Sequence, residues 1–179
     1  MNSNFCTLKG EIKYIFRTHE DHILVRIHTG RSNVPEVLIT NPTLKENFNF
    51  KVGDKIIVFA NIQSSIYKNR RSTTLLAFSI RELVFGNHEE FNNFELSGEV
   101  VKIVSTQEYL TLVIRTNQNN HESFVPTVFY HRDRYLDTIE VGDEISVSGI
   151  IQTSKKEINN EIRHYQNYVG STKSLLRVS

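Results

Sequence analysis

Cations and flat rings come together in three short stretches of this sequence: Tyr67-Lys68-Asn69-Arg70-Arg71, Lys155-Lys156 and Arg163-His164-Tyr165. Arg and Lys pair with the oxygens of a polyanion, and a tyrosine ring or a guanidinium plane stacks on another flat group. Together they suit a ligand that offers both charge and planar faces. The plainer role for Lys-Asn-Arg-Arg is a solvated loop that guards a strand edge. Recurrence of this chemistry at the same place in both halves of the chain favours binding. Arg26 and Arg115 join the set. They occupy nearly equivalent positions, each on the face opposite its apolar neighbours. The alternative for both is a surface cross-strand ion pair.

Other chemistry is missing. No nucleophile elbow, Walker loop, dinucleotide-binding glycine pattern or His-Glu-x-x-His motif occurs. The 7 His residues are scattered, and His19 and His22 have no Cys or carboxylate at ligand spacing. The 1 cysteine, Cys6, allows no internal disulfide and no cysteine-rich zinc site, and reads as a small buried residue. A non-enzyme with no metal and no cofactor is expected. Lys+Arg is 21 and Asp+Glu is 20, a net charge of +1, which excludes attachment to a polyanion by bulk charge alone. Hydrophobic residues make up 39% and charged residues 23%, ordinary for a folded chain of 179 residues. The longest apolar run, Ile56-Ile57-Val58-Phe59-Ala60, is far short of a bilayer span. Met1-Asn2-Ser3-Asn4-Phe5 has no basic stretch leading into an apolar core. A cytoplasmic protein with no membrane partner is expected.

The elements that position these residues follow from a repeat. Leu8-Lys9-Gly10-Glu11-Ile12 matches Leu96-Ser97-Gly98-Glu99-Val100, Val34-Pro35-Glu36-Val37 matches Val125-Pro126-Thr127-Val128, and Val52-Gly53-Asp54-Lys55-Ile56 matches Val141-Gly142-Asp143-Glu144-Ile145. The offsets are 88, 91 and 89, so whole units are duplicated with small loop differences. Apolar residues alternate around Ile23–His28 and Leu110–Arg115, and again along Ile56, Val58, Ala60, Ile62 and along Ile145, Val147, Gly149, Ile151. Strands are predicted near 6–16, 22–29, 35–40, 55–64 and 73–85, then 94–105, 109–116, 124–130, 144–153 and 163–170. Short helical stretches fall at 44–48 and 131–136. Phe59, Phe78 and Phe129 read as core.

Five short strands with a short helix after the third form the pattern of a Greek-key barrel of the OB type. The expected fold is therefore all-β with short helices, as two tandem five-stranded OB-fold barrels. The first spans 1–86, a short linker covers 87–93, and the second spans 94–179.

The second half resembles the single-stranded DNA-binding proteins of bacteria and their phages. The resemblance rests on the strand Phe124-Val125-Pro126-Thr127-Val128-Phe129-Tyr130, the Tyr135-Leu136 helix end, a Gly turn, the strand from Ile145 to Thr153, a charged hairpin and Tyr168-Val169-Gly170. It implies that Phe124 and Tyr130 stack on bases, and that Lys155, Lys156, Arg163, His164 and Tyr165 on the hairpin meet the strand. The first half has no aromatic at either place of its third strand, but its hairpin keeps Tyr67, Lys68, Arg70 and Arg71. Two family features are missing: tryptophan, and a Gly/Pro-rich tail ending in acidic residues. The family usually assembles four barrels, which implies a homodimer of a two-barrel chain, with replication or transfer proteins as further partners.

The halves differ in charge, with 12 Lys and Arg against 9 Asp and Glu over residues 1–90, and 9 against 11 over 91–179. The expected division is phosphate tracking by Arg26, Lys68, Arg70 and Arg71, and base stacking by Phe124, Tyr130 and Tyr165. The expected function is single-stranded DNA binding without sequence preference, in replication, recombination or transfer of a bacterial, phage or plasmid genome. Two rivals stand beside it. One is an OB-fold docking module for a replication or transfer protein. The other is single-stranded RNA binding, for which the dense aromatic motif of cold-shock barrels is not found.

Overall fold

Period-two alternation in the sequence becomes strand in a computed structural model, which describes residues 3–67, 69–84 and 89–178. The strands are β1 (Asn4–Arg17), β2 (Ile23–His28), β3 (Glu36–Ile39), β4 (Lys55–Tyr67), β5 (Arg70–Glu82), β6 (Phe91–Ser105), β7 (Leu110–Gln118), β8 (His121–Phe129), β9 (Glu144–Ile158), β10 (Glu161–Gly170) and the short β11 (Leu176–Arg177). One helix, α1 (Pro42–Glu46), follows β3. The Asn41 side chain accepts from the Leu44 N–H at its start, and Pro42 needs no donor there. The second helical stretch differs from its expected place. Residues 131–135 turn, and a single 3₁₀ turn follows at Leu136–Thr138. The Asp133 carboxylate accepts from the Leu136 N–H at 2.8 Å and drops Leu136 into the core. The hairpin arms run further than the alternation foretold, because polar residues keep pairing beyond the core as far as Tyr67↔Arg70 and Ile158↔Glu161.

The pairings close a five-stranded barrel of the OB type. β1 pairs β2, β2 pairs β3, β3 runs parallel to β5, β5 pairs β4, and β4 returns to β1. Further strands are bonded to it and follow the same ladder: β6–β7, β7–β8, β8 parallel to β10, β10–β9 and β9–β6. The connection is an antiparallel pairing of β1 with β6, Asn4↔Leu96 through Lys9↔Phe91. Asn4 pairs with Leu96 and Leu8 with Asn92, so the repeat offset carries one pair onto the other. Cys6↔Phe94 stands at the centre. Of the residues read as linker, Phe91, Asn92 and Asn93 begin β6, while 87 and 88 lie outside the described residues.

Besides pairing with each other, β1 and β6 each serve two neighbours of their own half. β1 pairs β4 through Glu11 and β2 from Glu11 onward, with a bulge between Ile12 and Tyr14. β6 repeats this, with its bulge between Val100 and Lys102. Gly10 and Gly98 sit at the bends. A Cβ on Gly10 would fall on the His28 carbonyl oxygen, and one on Gly98 on the Arg115 carbonyl oxygen.

The core takes the inward residues of each strand, among them Leu8, Ile12, Ile27, Ile62, Leu96, Phe129 and Tyr168. Burial pushes the Cys6 thiol up to about 12, so it stays protonated and inert. Phe129 is fully buried and Phe59 half-buried. Phe78 departs from its expected core place: it alternates with buried Leu75 and Ala77 and stands outward at 52% exposure.

A pair of asparagines completes the ladder. The Asn4 amide donates to the Ile62 carbonyl (2.8 Å) and accepts from the Ile62 N–H (2.9 Å). Asn92 does the same to Ile151, at 2.8 and 2.9 Å. Asn4→Ala leaves both backbone groups of buried Ile62 without their partner, at about 1–3 kcal/mol for each. The urea midpoint should fall while the m-value holds. An unchanged midpoint would show that water replaces the amide.

Candidate nucleic-acid interface

Each long hairpin crosses the third strand of the other half. From the first half, Ser64 on β4 meets β8: its N–H donates to the Ser123 hydroxyl (3.1 Å) and its own hydroxyl accepts from the Phe124 N–H (2.8 Å). From the second half, Thr153 on β9 meets the segment entering β3. Its hydroxyl accepts from the Val34 N–H (2.8 Å), and its N–H donates to the side-chain amide oxygen of Asn33 (3.1 Å). Gln166 on β10 adds a side-chain clasp to both backbone groups of Glu36. These exchanges bring cations of one half onto the strands of the other.

Arg71, near the start of β5, crosses to β8. Its guanidinium lies 3.9 Å from the centre of the half-buried Phe124 ring. Arg71 is exposed, and cation–π contacts at exposed sites contribute about 0.5–1 kcal/mol. On the other side, β10 of the second half faces β2 and β3 of the first. Between them opens a cleft of about 380 Å³, lined by Arg26, Glu36, Arg71, Thr153, His164 and Tyr165 among others. Arg26 is held by Glu36 (Nε to Oε2, 2.8 Å), its register partner on β3, and its guanidinium lies 5.0 Å from the Tyr14 ring. Lys156 on β9 lies with its ammonium 5.7 Å from the Tyr165 ring.

The remaining candidates, Lys155 excepted, lie apart from this cleft. Arg115 on β7 contacts Glu99 and stands 4.0 Å from Glu122, in an acidic hollow that also holds Glu144. Its register partners are Glu99 and Phe124. Its counterpart in the first half is His28, opposite Glu11, so Arg26 and Arg115 occupy different rows. Tyr130 follows β8 on the same outward parity as Phe124, six positions on, or about 20 Å along an extended strand. It stands edge-on to Tyr109 at 6.3 Å. Arg70 and Arg163 are exposed along the hairpin arms, and Arg163 reaches Glu161 at 3.8 Å, while Lys155, also exposed, is the register partner of His164 at the rim of the cleft. Tyr67 ends β4, with its side chain outside the described residues, and Lys68 lies outside them altogether.

Two aromatics were missed. Tyr14 and Phe16, 42% and 47% exposed, stack on each other at 6.4 Å and 12° on the outer face of β1. By sequence parity Tyr14 belongs with Leu8 and Ile12, which are core. The bulge at Ile12–Tyr14 reverses the face, and nothing in the local residue pattern announces it. Among the described residues no group of three His, Cys, Asp or Glu side chains could hold a metal ion, and no helix is long and apolar enough to cross a membrane.

No protein-family model matches the chain, and no curated protein matches it. Solved structures do. The wild-type single-stranded DNA binding protein from Thermus aquaticus is 13% identical, with a TM-score of 0.71 over 99% of this chain and 94% of that one. A deletion variant of the same protein is 14% identical, with a TM-score of 0.71 over 99% and 95%. At such identity the likeness is one of fold, and it runs the whole length of the chain.

Proposed function

We propose that the chain is two tandem Greek-key OB barrels, divided at the join before β6, that bind single-stranded DNA without sequence preference. The observation that carries this reading is the cleft in which Arg26 and Arg71 from one half and His164 and Tyr165 from the other stand around a shared opening, with Arg26 against the Tyr14 ring and Arg71 against the Phe124 ring. A single strand offers a line of phosphates and unpaired base faces, and cations interleaved with aromatic faces meet both. The name of the Thermus aquaticus protein supports the same ligand. The setting that follows is replication, recombination or transfer of a bacterial, phage or plasmid genome, with two copies assembling four barrels. The chain acts by binding and not by catalysis.

A docking module with little affinity for DNA is the second reading. The pairing of Arg26 with Glu36 and of Arg115 with Glu99 favours it, because both cations are already neutralised. Fluorescence anisotropy of labelled oligo-dT separates the two. An oligomer of about 35 nucleotides exceeds the roughly 8–30 that two OB folds cover. Tight, salt-sensitive binding that duplex does not displace is expected. No binding at micromolar protein and low salt would leave the docking module, and preference for a matched RNA would assign the cleft to RNA.

A further inference from the structure

The cleft between the halves contains a titratable ring, His164, whose protonation the reading above leaves out. We propose that this cleft seats one backbone phosphodiester, and that His164 gains a proton when the phosphate arrives, so strand and proton bind together. The inference rests on the single-strand reading and names the contact within it.

The seat is composite. Arg26 comes from β2, Arg71 from β5, and His164 from β10, with the hydroxyls of Thr73 and Thr153 on the lining. The charged groups that face His164 are Arg26 on β2, Glu36 on β3 and Lys155 on β9, with Arg71 of β5 across the cleft. Three cations therefore meet one carboxylate, and that carboxylate is already engaged by Arg26 at 2.8 Å. The surplus is positive, in a cleft that a diester anion would fill.

Desolvation holds the His164 ring below its ordinary value, and the charges of Arg26 and Lys155 press the same way, against Glu36. In the free protein at neutral pH the ring is neutral. A phosphodiester stays anionic through this range and reverses the local repulsion, which raises the affinity of the ring for a proton. Between the free and the bound value, binding takes up a proton. Affinity therefore rises as pH falls through that window, and levels off once the free ring is itself protonated.

The test is anisotropy of labelled oligo-dT from pH 8.0 to 5.5 at constant ionic strength, with the native chain and with His164→Gln. The native chain should gain about threefold to tenfold more affinity than the variant across that range, within the limit of one proton per site. The other histidines act in both proteins and cancel in the comparison. A second readout needs no variant: the C2 proton of His164, titrated by NMR with and without oligo-dT, should shift to a higher pKa when the strand is bound. Equal pH slopes for the two proteins would overturn the proposal while leaving single-strand binding intact. An equal shift of the ring by millimolar inorganic phosphate would also overturn it, by making the cleft a site for any free anion. Failure of the native chain to bind oligo-dT at every pH would sink the functional reading, and this inference with it.

Discussion

Gly98→Ala is expected to cost at least about 3 kcal/mol, more than a typical overpacked core position. The new methyl would fall on the carbonyl oxygen of Arg115 and stand 3.2 Å from Cγ2 of Ile114. Neither strand can step aside. Gly98 pairs with Ile145 on one edge of β6, while its neighbour Glu99 pairs with Arg115 on the other. The backbone is pinned from both sides where β6 passes from one neighbour to the next. The glycine is required here for the close approach of two backbones and not for an unusual φ, since Gly98 is not among the positive-φ glycines. Urea unfolding followed by far-ultraviolet circular dichroism measures the loss. A cost below about 1 kcal/mol would mean that β7 yields, and that the corner is softer than its pairing implies.

Phe124→Ala should weaken oligo-dT binding about 5-fold to 150-fold, the equivalent of one lost base stack at about 1–3 kcal/mol. The weakening should be the same at every salt concentration, because no charge is removed. Arg71→Ala should act differently. It removes one phosphate-neutralising cation, so the slope of log K against log salt should flatten by about 0.7. The two side chains touch, at 3.9 Å from guanidinium to ring centre, so their effects should not add. In the free protein Arg71 covers a face of the Phe124 ring. An incoming base must take the place of the guanidinium or stack outside it, and the double variant measures that coupling. Phe124→Leu separates stacking from packing, since leucine fills space without a flat face. Native affinity in Phe124→Leu would remove Phe124 from the interface.

The strand framework was legible because it follows from alternation. Leu8, Ile12, Ile56, Ile62 and their repeats Leu96, Val100, Ile145, Ile151 are buried as their period implies. The repeat was legible because three blocks kept nearly one offset. What could not be read was whatever depends on a bulge or on contact between the halves. Tyr14 drew no reading because the bulge beside it reverses its face without leaving a residue signature, and Phe78 was read as core for its residue type although it alternates with buried Leu75 and Ala77. The Asn4 and Asn92 clasps drew no reading, and Asn92 was placed in the linker, since their backbone partners lie 58 and 59 positions away. Arg71 was legible as a cation on a hairpin. Its seat on Phe124 was not, because it depends on how one half lies across the other.

The centre of the β1–β6 pairing bears on self-recognition. An element that pairs with its own copy across a two-fold axis must present the same side chain from both sides. Here Cys6 faces Phe94, and behind the large ring stands the smallest residue: Cys6 is backed by Ala60, Phe94 by Gly149. A Cβ on Gly149 would stand 2.8 Å from the Phe94 ring, so the large side chain exists at the expense of its neighbour. Two first halves brought together would set Cys6 against Cys6 and leave a void. Two second halves would set Phe94 against Phe94, a pair of two large rings in place of one large and one small side chain. The two copies of the repeat thus meet at a centre that is unlike from its two sides, so the symmetry of the pairing is broken at the pair through which its axis would pass.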